Sequence, residues 1–175
     1  MPEKFEKINF EQEESREGKG EIKIDPPLSD DQIGPGSIDF SLSNTFWKMR
    51  DVGKKPKDLK ATDFTDIFEE IKAESVILQP GELVLAKTLE RITLAPNICG
   101  WIQGRSRYAR MGLSVHVASS FIQPGSSNHQ VLEIVNLSHV PLTIHAGMRI
   151  CQVIFERTES PTSRPYSKHG KFADQ

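Results

Sequence analysis

Residues 75–104 read SVILQPGELVLAKTLERITLAPNICGWIQG, and the pattern of this stretch decides the fold class. Its apolar residues come in short or alternating runs, which are interrupted at Pro80-Gly81 and at Pro96. Alternation with a period of two is typical of strands that bury one face, and proline and glycine favour the turns between them. The stretch therefore predicts consecutive β-strands joined by short turns.

The same texture continues on both sides of this stretch. Short apolar runs recur from residue 22 to residue 157, with turn-forming residues between them. Such a series predicts a mainly β protein, built as a barrel or a sandwich. The runs are IKI (22–24), SIDFSL (37–42), LSVHVASSFIQPG (113–125), QVLEIVNLS (130–138) and VPLTIHAGMRICQVIFER (140–157).

Residues 63–73 (DFTDIFEEIKA) depart from the strand pattern. Phe64, Ile67, Phe68 and Ile71 recur there at the three- and four-residue spacing of a helix face. The segment therefore predicts one amphipathic helix inserted between strands.

A second departure lies at residues 106–111, between Gly104 and Gly112. Ser106 is a residue type that caps helix N-termini, and a glycine commonly follows the last helical residue. The segment therefore predicts a short helix of about one and a half turns.

Length and charge narrow the class of protein. A chain of 175 residues is the size of one domain. Lysine and arginine number 22 against 24 acidic residues, a net charge of -2, so the chain lacks the overall positive field that favours nucleic acid or anionic membrane as a partner. We predict that residues 1–21, which are highly charged, form a flexible arm before the folded domain.

Cellular location is predicted from what the sequence lacks. No stretch approaches the roughly 18 apolar residues of a membrane helix, and the first residues lack the apolar core of a signal peptide. Cys99 and Cys151 lie in apolar runs without CxxC spacing, which favours buried, reduced thiols. We therefore expect a cytoplasmic protein that does not bind membrane.

The arginine-rich segment GRSRYARMGL (104–113) is the first candidate binding element. Exposed amides at a helix start and the Ser106 hydroxyl suit an anion, and the forked donors of Arg105 and Arg107 suit phosphate oxygens. Arg110 lies four residues after Ser106, so both side chains share one face of a helix. The alternative is a solvated helix face with no ligand.

A carboxylate among aliphatic residues is the second candidate. In QVLEIVN (130–136), strand alternation places Glu133 on the face of Val131 and Val135. Desolvation there would raise the pKa of Glu133 towards the range in which a carboxylate both takes and gives a proton near neutral pH. The alternative is a structural pairing with an arginine, and Arg110 as that partner fits both interpretations.

Several catalytic classes have motifs that this sequence lacks. Zinc nucleobase deaminases use an H-x-E motif followed by P-C-x-x-C, and neither is present. The five histidines are scattered, and the sequence contains no P-loop, GxSxG elbow or dinucleotide fingerprint. We therefore expect no zinc and no other protein-bound metal.

Taken together, the ordered motifs resemble those of dCTP deaminases, a family within the dCTP deaminase/dUTPase superfamily. The family pattern runs GRSSxARxGL, VHxTA, IDPG, LExxN and PGMRIxQ, and the resemblance covers residues 22–175. The matching segments are GSIDFSL (36–42), LQPGELVL (78–85), GRSRYARMGL (104–113), VHV (115–117), IQPG (122–125), LEI (132–134) with Asn136, GMRICQ (147–152), and Tyr166 with KFADQ (171–175).

This resemblance implies an architecture and a reaction. The fold would be a distorted, dUTPase-like β-barrel (β-clip) with one or two short helices over residues 22–165, followed by a closing tail at 166–175. The family assembles as a homotrimer with active sites between subunits. It hydrolyses dCTP to dUTP and ammonia without zinc, and the substrate binds as its magnesium triphosphate.

The resemblance also implies roles for individual residues. Glu133 matches the glutamate that activates water for attack on cytosine C4, Arg110 the arginine that holds this glutamate, and Ser106 the serine beside the water. The positions associated with the triphosphate, or with the tail that closes over it, are Arg105, Gln152, Tyr166, Lys171 and Gln175.

Departures from the family pattern concern the substrate. Gln123 replaces an aspartate that in the dUTPase branch activates the water attacking the triphosphate, and an amide cannot accept that proton. Arg107 replaces a serine that faces phosphate, and Ala118-Ser119 replaces Thr-Ala beside the pyrimidine. Two alternatives to dCTP deaminase therefore stay open: a dUTPase-type hydrolase of deoxynucleotides, and a nucleotide-binding paralogue without catalysis.

Overall fold

A computed structural model describes residues 10–11 and 21–174 of the chain, with side chains from residue 21 onward. Strands dominate the described residues, and two short α-helices and two single 3-10 turns accompany them. The strands are β1 (Phe10–Glu11), β2 (Ile22–Asp25), β3 (Ile38–Met49), β4 (Phe68–Lys72), β5 (Ser75–Leu78), β6 (Leu83–Leu94), β7 (Ile98–Gly104), β8 (Leu113–Val115), β9 (Phe121–Ile122), β10 (Ser127–Asn136), β11 (Leu142–His145) and β12 (Arg149–Arg157); the helices are α1 (Ser106–Ala109) and α2 (Tyr166–His169); the 3-10 turns are Asp30–Gln32 and Phe64–Asp66.

The two longest strands, β3 and β6, change partners along their length. One end of β3 pairs with β12, and the other end pairs with β4 and β6. β6 pairs with β10 along one edge, while its other edge meets first β3 and then β2. Strands that pass from one partner to another make the corners of a closed or half-closed sheet. The prediction of a mainly β, barrel-like domain is confirmed.

The interior of the curled sheet holds one apolar core. Alternate residues of the long strands point inward, as the period of two requires. The largest fully buried side chains include Phe40, Phe46, Leu132, Ile134 and Ile150. Cys99 and Cys151 are free and buried beside this core, as predicted, and burial raises the pKa of both thiols.

The predicted helix at residues 63–73 is wrong. Its first turn does form, because the Asp63 carboxylate accepts a hydrogen bond from the Thr65 amide and the Asp66 carboxylate accepts one from the Asp63 amide. The chain then continues as β4, which pairs antiparallel with β3. The edge of β3 supplies backbone partners from far along the chain, and tertiary pairing overrides the local helical spacing.

The predicted boundaries are only partly covered by the described residues. The short helix after Gly104 is confirmed as α1, although Arg105 rather than Ser106 is its N-cap residue. Of the predicted arm, the backbone of β1 pairs parallel with β2, and residues 1–9 and 12–20 lie outside the described chain. Within the described ranges, no helix has the length and apolar character needed to cross a membrane.

Candidate functional site

Glu133 lies in the middle of β10, on the face opposite the core. Its neighbours Leu132 and Ile134 are fully buried, whereas Val131 and Val135 share its half-buried face. The predicted alternation is therefore confirmed. The side chain of Glu133 is 33% exposed in the subunit, so the carboxylate is less buried than a position among valines predicts.

His116 is the residue that approaches Glu133. Its Nδ1 lies 2.8 Å from Glu133 Oε2, its side chain is 8% exposed, and its backbone amide donates to the Glu133 carbonyl at 2.7 Å. The angle between ring and carboxylate misses hydrogen-bond geometry, so neither of these buried atoms has a hydrogen-bond partner among the described residues. His116 has a φ of 50°, in the left-handed region that few side chains occupy.

A cavity of about 480 Å³ opens beside this pair, and we call it the Glu133 pocket. It combines polar groups suited to a base edge with aromatic rings suited to stacking against a planar ring. Four of the predicted site residues line it, namely Ser119, Gln123, Glu133 and Tyr166. Its other lining includes Lys87 and His116 and the aromatic residues Trp47, Phe64, Phe121 and Phe172.

The C-terminal segment lies against this pocket. The amides of Tyr166 and Ser167 donate to the carbonyls of Pro124 and Gly125 at 3.0 and 3.1 Å, which fixes the start of α2. A second cavity of about 380 Å³ lies beside the segment and brings together Gln123, Tyr166 and Lys171. Gln175 lies outside the described residues.

Arg105 and Gln152 lie outside the lining of the Glu133 pocket. They belong to a region in which two carboxylates face two guanidinium groups. Arg105 Nη2 is 3.0 Å from Asp39 Oδ2, and Arg149 Nη1 is 3.0 Å from Asp31 Oδ2 and 3.9 Å from Asp39 Oδ2. We call Asp31, Asp39, Arg105 and Arg149 the arginine cluster. Gln152 is the cross-strand partner of Asp39, so the β3–β12 register places it beside the cluster.

Beneath the arginine cluster lies the buried carboxylate of Glu90. Its two oxygens accept hydrogen bonds from the Ser41 amide and from Gln32 Nε2, both at 2.7 Å. Gln32 Nε2 also donates to the Asp39 carbonyl at 3.0 Å. Burial raises the pKa of Glu90, and the hydrogen bonds from Ser41 and Gln32 oppose that shift. Glu90 thus ties the cluster to the sheet.

The remaining predicted site residues lie on α1 or directly after it, where Arg110 is the C-cap residue. Ser106, Arg107 and Arg110 are all exposed, and Arg107 stacks over the Tyr108 ring at 5.7 Å. Neither the Ser106 hydroxyl nor the Arg110 guanidinium has a hydrogen-bond or ion-pair partner in the described part of the chain. The expected pairing of Arg110 with Glu133 is therefore not present within one subunit.

Sequence comparison connects this arrangement to known proteins. A family model described as dCTP deaminase-like matches residues 10–158. A protein of Shewanella amazonensis named dCTP deaminase is 38% identical over 95% of this chain and 92% of its own length. A protein of Methanosphaera stadtmanae named "dCTP deaminase, dUMP-forming" is 35% identical over 85% of this chain and 77% of its own length.

Structural comparison extends to more distant proteins. The 2'-deoxycytidine 5'-triphosphate deaminase of Agrobacterium tumefaciens matches 79% of this chain with a TM-score of 0.61 and 21% identity, and this chain spans 43% of that chain. The dUTPase of Staphylococcus aureus phage phi11 matches 86% of this chain and 99% of its own with a TM-score of 0.51 and 14% identity. The predicted dUTPase-like fold is confirmed.

Proposed function

The chain belongs to the dCTP deaminase-like family, and from that premise we propose that it hydrolyses dCTP to dUTP and ammonia. The observation that carries the proposal is the placement of Glu133, which lines an aromatic-rich pocket and holds one carboxylate oxygen without a hydrogen-bond partner. Relatives named dCTP deaminase, at 35 to 38% identity, support the substrate. Such a carboxylate is suited to accept a proton from water.

Glu133 acts as general base and then as general acid. It takes one proton from water as the water oxygen bonds to C4 of cytosine. It returns this proton to the amino group, and the C4–N bond breaks to release ammonia. The second water hydrogen ends on ring N3, so the product is a uracil base. His116, whose Nδ1 lies 2.8 Å from Glu133 Oε2, restricts the positions that the carboxylate can take.

We further propose that the enzyme is a cytoplasmic homotrimer in which Ser106 and Arg110 reach Glu133 from a neighbouring subunit. Both residues are exposed, Ser106 at the first position of α1 and Arg110 directly after its last residue, and neither lines the Glu133 pocket of its own subunit. A half-exposed apolar row of Trp101, Phe121 and Ile154 crosses three adjacent strands and offers surface for assembly.

The triphosphate, bound as its magnesium complex, contacts cationic, amide and phenol side chains. Arg105 and Gln152 come from the region of the arginine cluster, and Tyr166, Lys171 and Gln175 come from the tail. Arg107 adds a guanidinium at the start of α1, where phosphate oxygens are favoured. Zinc has no part in this reaction. The substrate metal supplies charge neutralisation at the phosphates.

The residue at position 123 bears on which nucleotide is the product. Gln123 lines both cavities, and its amide cannot accept the proton of a water that attacks the triphosphate. We therefore propose dUTP as product. Formation of dUMP is the second candidate, because several relatives carry the name "dUMP-forming".

Product analysis tests both statements. The purified protein is incubated with dCTP and Mg²⁺, and ammonia, nucleotides and pyrophosphate are quantified over time. We expect ammonia and dUTP in equal amounts, with no pyrophosphate. Equal amounts of ammonia, dUMP and pyrophosphate would replace dUTP by dUMP as product. Pyrophosphate from dUTP without ammonia from dCTP would show a dUTPase, and binding without either product would show a silent paralogue.

A further inference from the structure

The 3-10 turn Phe64–Asp66 and its N-cap residue Asp63 contact the C-terminal segment. The rings of Phe64 and Phe172 meet edge to face, with centroids 6.3 Å apart and an interplanar angle of 72°. Lys171 Nζ lies 3.5 Å from Asp63 Oδ2 in the same contact. Edge-to-face aromatic pairs are favourable beyond the area that they bury, so this contact holds the tail at its far end.

Asn128 provides a second, more deeply buried contact with the tail. The residue is 5% exposed, and its Nδ2 donates to the Phe172 carbonyl at 3.0 Å. Its Oδ1 accepts from Gln130 Nε2 at 2.9 Å, which fixes the orientation of the amide. If the tail left, water would have to replace the Phe172 carbonyl as the partner of the Asn128 amide, so this hydrogen bond favours the docked tail.

The near end of the tail is fixed at Gly125. Gly125 has a φ of 72°, and a Cβ built there would lie 2.5 Å from Pro165 Cβ. The Ser167 amide donates to the Gly125 carbonyl at 3.1 Å. The segment from Pro165 to Phe172 is therefore held at both ends by residues of its own subunit, across the Glu133 pocket.

We propose that Phe64 and Asn128 are positioning residues that dock the C-terminal segment over the Glu133 pocket of the same subunit. Docking brings Tyr166 and Lys171 to the nucleotide in an ordered state, so the cost of ordering the tail is met before substrate binds. Loss of docking therefore raises KM for dCTP. Because Phe64 and Asn128 also line the Glu133 pocket, a rise in KM supports docking only when it accompanies faster hydrogen exchange in the tail. The effect on KM rests on the proposed function, whereas the docking itself does not.

Hydrogen exchange and kinetics on one set of variants test the proposal. The set is Phe64→Ala, Phe64→Tyr, Asn128→Asp, Phe172→Ala, the double variant Phe64→Ala/Phe172→Ala, and the control Leu59→Ala. Leu59 is 86% exposed in the loop before the turn and contacts neither pocket nor tail. Phe64 is itself 37% exposed, so its truncation leaves the core intact, and thermal unfolding checks the fold of the Asn128 variant.

We expect the amides of residues 166–174 to exchange about three- to tenfold faster in Phe64→Ala and Asn128→Asp, with a similar rise in KM for dCTP. Phe64→Tyr keeps the ring and restores both values, and Leu59→Ala matches the wild type. The double variant behaves like either single phenylalanine variant, because the two rings form one contact.

Two results would overturn the proposal: unchanged exchange of residues 166–174 in both the Phe64→Ala and Asn128→Asp variants, or fully additive effects in the double variant. Faster exchange without any deamination by the wild type would leave docking intact and remove the proposed function. Deamination by the wild type, together with unchanged exchange in the variants, would support the proposed function and remove the docking proposal.

Discussion

The Glu133 pocket and the arginine cluster differ in how their charges are matched. In the arginine cluster, each carboxylate faces a guanidinium of the same subunit at 3.0 Å. In the Glu133 pocket, a carboxylate oxygen and an imidazole nitrogen lie 2.8 Å apart without hydrogen-bond geometry. Unmatched buried polar atoms are costly, and they concentrate where a protein acts on a ligand. This difference is the reason for proposing chemistry at the pocket and triphosphate binding beside the cluster.

The two regions also differ in the groups that surround their carboxylates. Hydrogen bonding from Ser29 and the charge of Arg149 hold the pKa of Asp31 below its usual range, so this carboxylate stays ionised beside its arginine. The Glu133 pocket is instead lined by aromatic rings, and Tyr166 and Phe172 of the tail form part of this lining. The aromatic pocket suits a planar base, and the cluster orients Arg105, which we propose contacts the triphosphate.

The largest expected effect comes from removing the proton carrier. Glu133→Gln keeps size and polarity but cannot accept a proton, so we expect kcat for ammonia release to fall about 10²- to 10⁴-fold, with dCTP binding retained. Glu82→Gln, which changes a carboxylate that pairs with Lys48 and does not line the pocket, is the control. Wild-type turnover by the Glu133 variant would remove the chemical role assigned to this pocket.

His116 should matter less than Glu133, because it acts through Glu133. We expect His116→Asn to lower kcat about ten- to hundredfold by misplacing the carboxylate, with KM within about twofold. His145→Asn, at an exposed position on β11, serves as the matched control. A change confined to KM would show instead that His116 binds substrate rather than orients Glu133.

Asp39 tests the arginine cluster. Asp39→Asn removes the carboxylate that faces both Arg105 and Arg149, so the two guanidinium groups lose their fixed positions. We expect KM for dCTP to rise about three- to tenfold and kcat to stay within about twofold. Asp58→Asn, in an exposed loop, is the control. A lower KM would mean that Asp39 competes with the triphosphate for these arginines.

The smallest expected effect is a pH dependence of stability at Glu90. Its pKa is raised in the folded protein, mainly by burial. Such an acid contributes stability below its unfolded pKa and loses that contribution as pH rises through the folded pKa. The wild type should therefore lose unfolding free energy relative to Glu90→Gln as pH rises from about 4 towards neutrality, measured by urea unfolding. Parallel pH curves for the two proteins would contradict this.

Local sequence patterns predicted the elements whose causes are local. Strand alternation separated Glu133 from Leu132 and Ile134, and flanking glycines marked α1. The segment after Asp63 misled because its cap and its apolar spacing are those of a helix, whereas the edge of β3 that captures β4 is distant in sequence. No pattern within residues 63–73 reports that edge.

The site residues that the sequence did not predict also depend on contacts between distant parts of the chain. His116 is one of five histidines scattered along the sequence, and it reaches Glu133 only through the pairing of β8 with β10. Its place in the VHV segment was the one available signal. Asp39 and Asn128 likewise gain their partners, Arg105 and Phe172, from distant strands and the tail. The joining of Arg110 with Glu133 stays a prediction.

Complementation between subunits tests whether Arg110 of one subunit meets Glu133 of its neighbour. Glu133→Gln and Arg110→Ala chains, each inactive alone, are co-expressed with different tags, and mixed oligomers are isolated and assayed for ammonia release from dCTP. If each site takes Glu133 from one subunit and Arg110 from its neighbour, every mixed trimer contains one complete site of three, so about one third of wild-type activity is restored. Mixed oligomers as inactive as their parents would contradict a site shared between subunits.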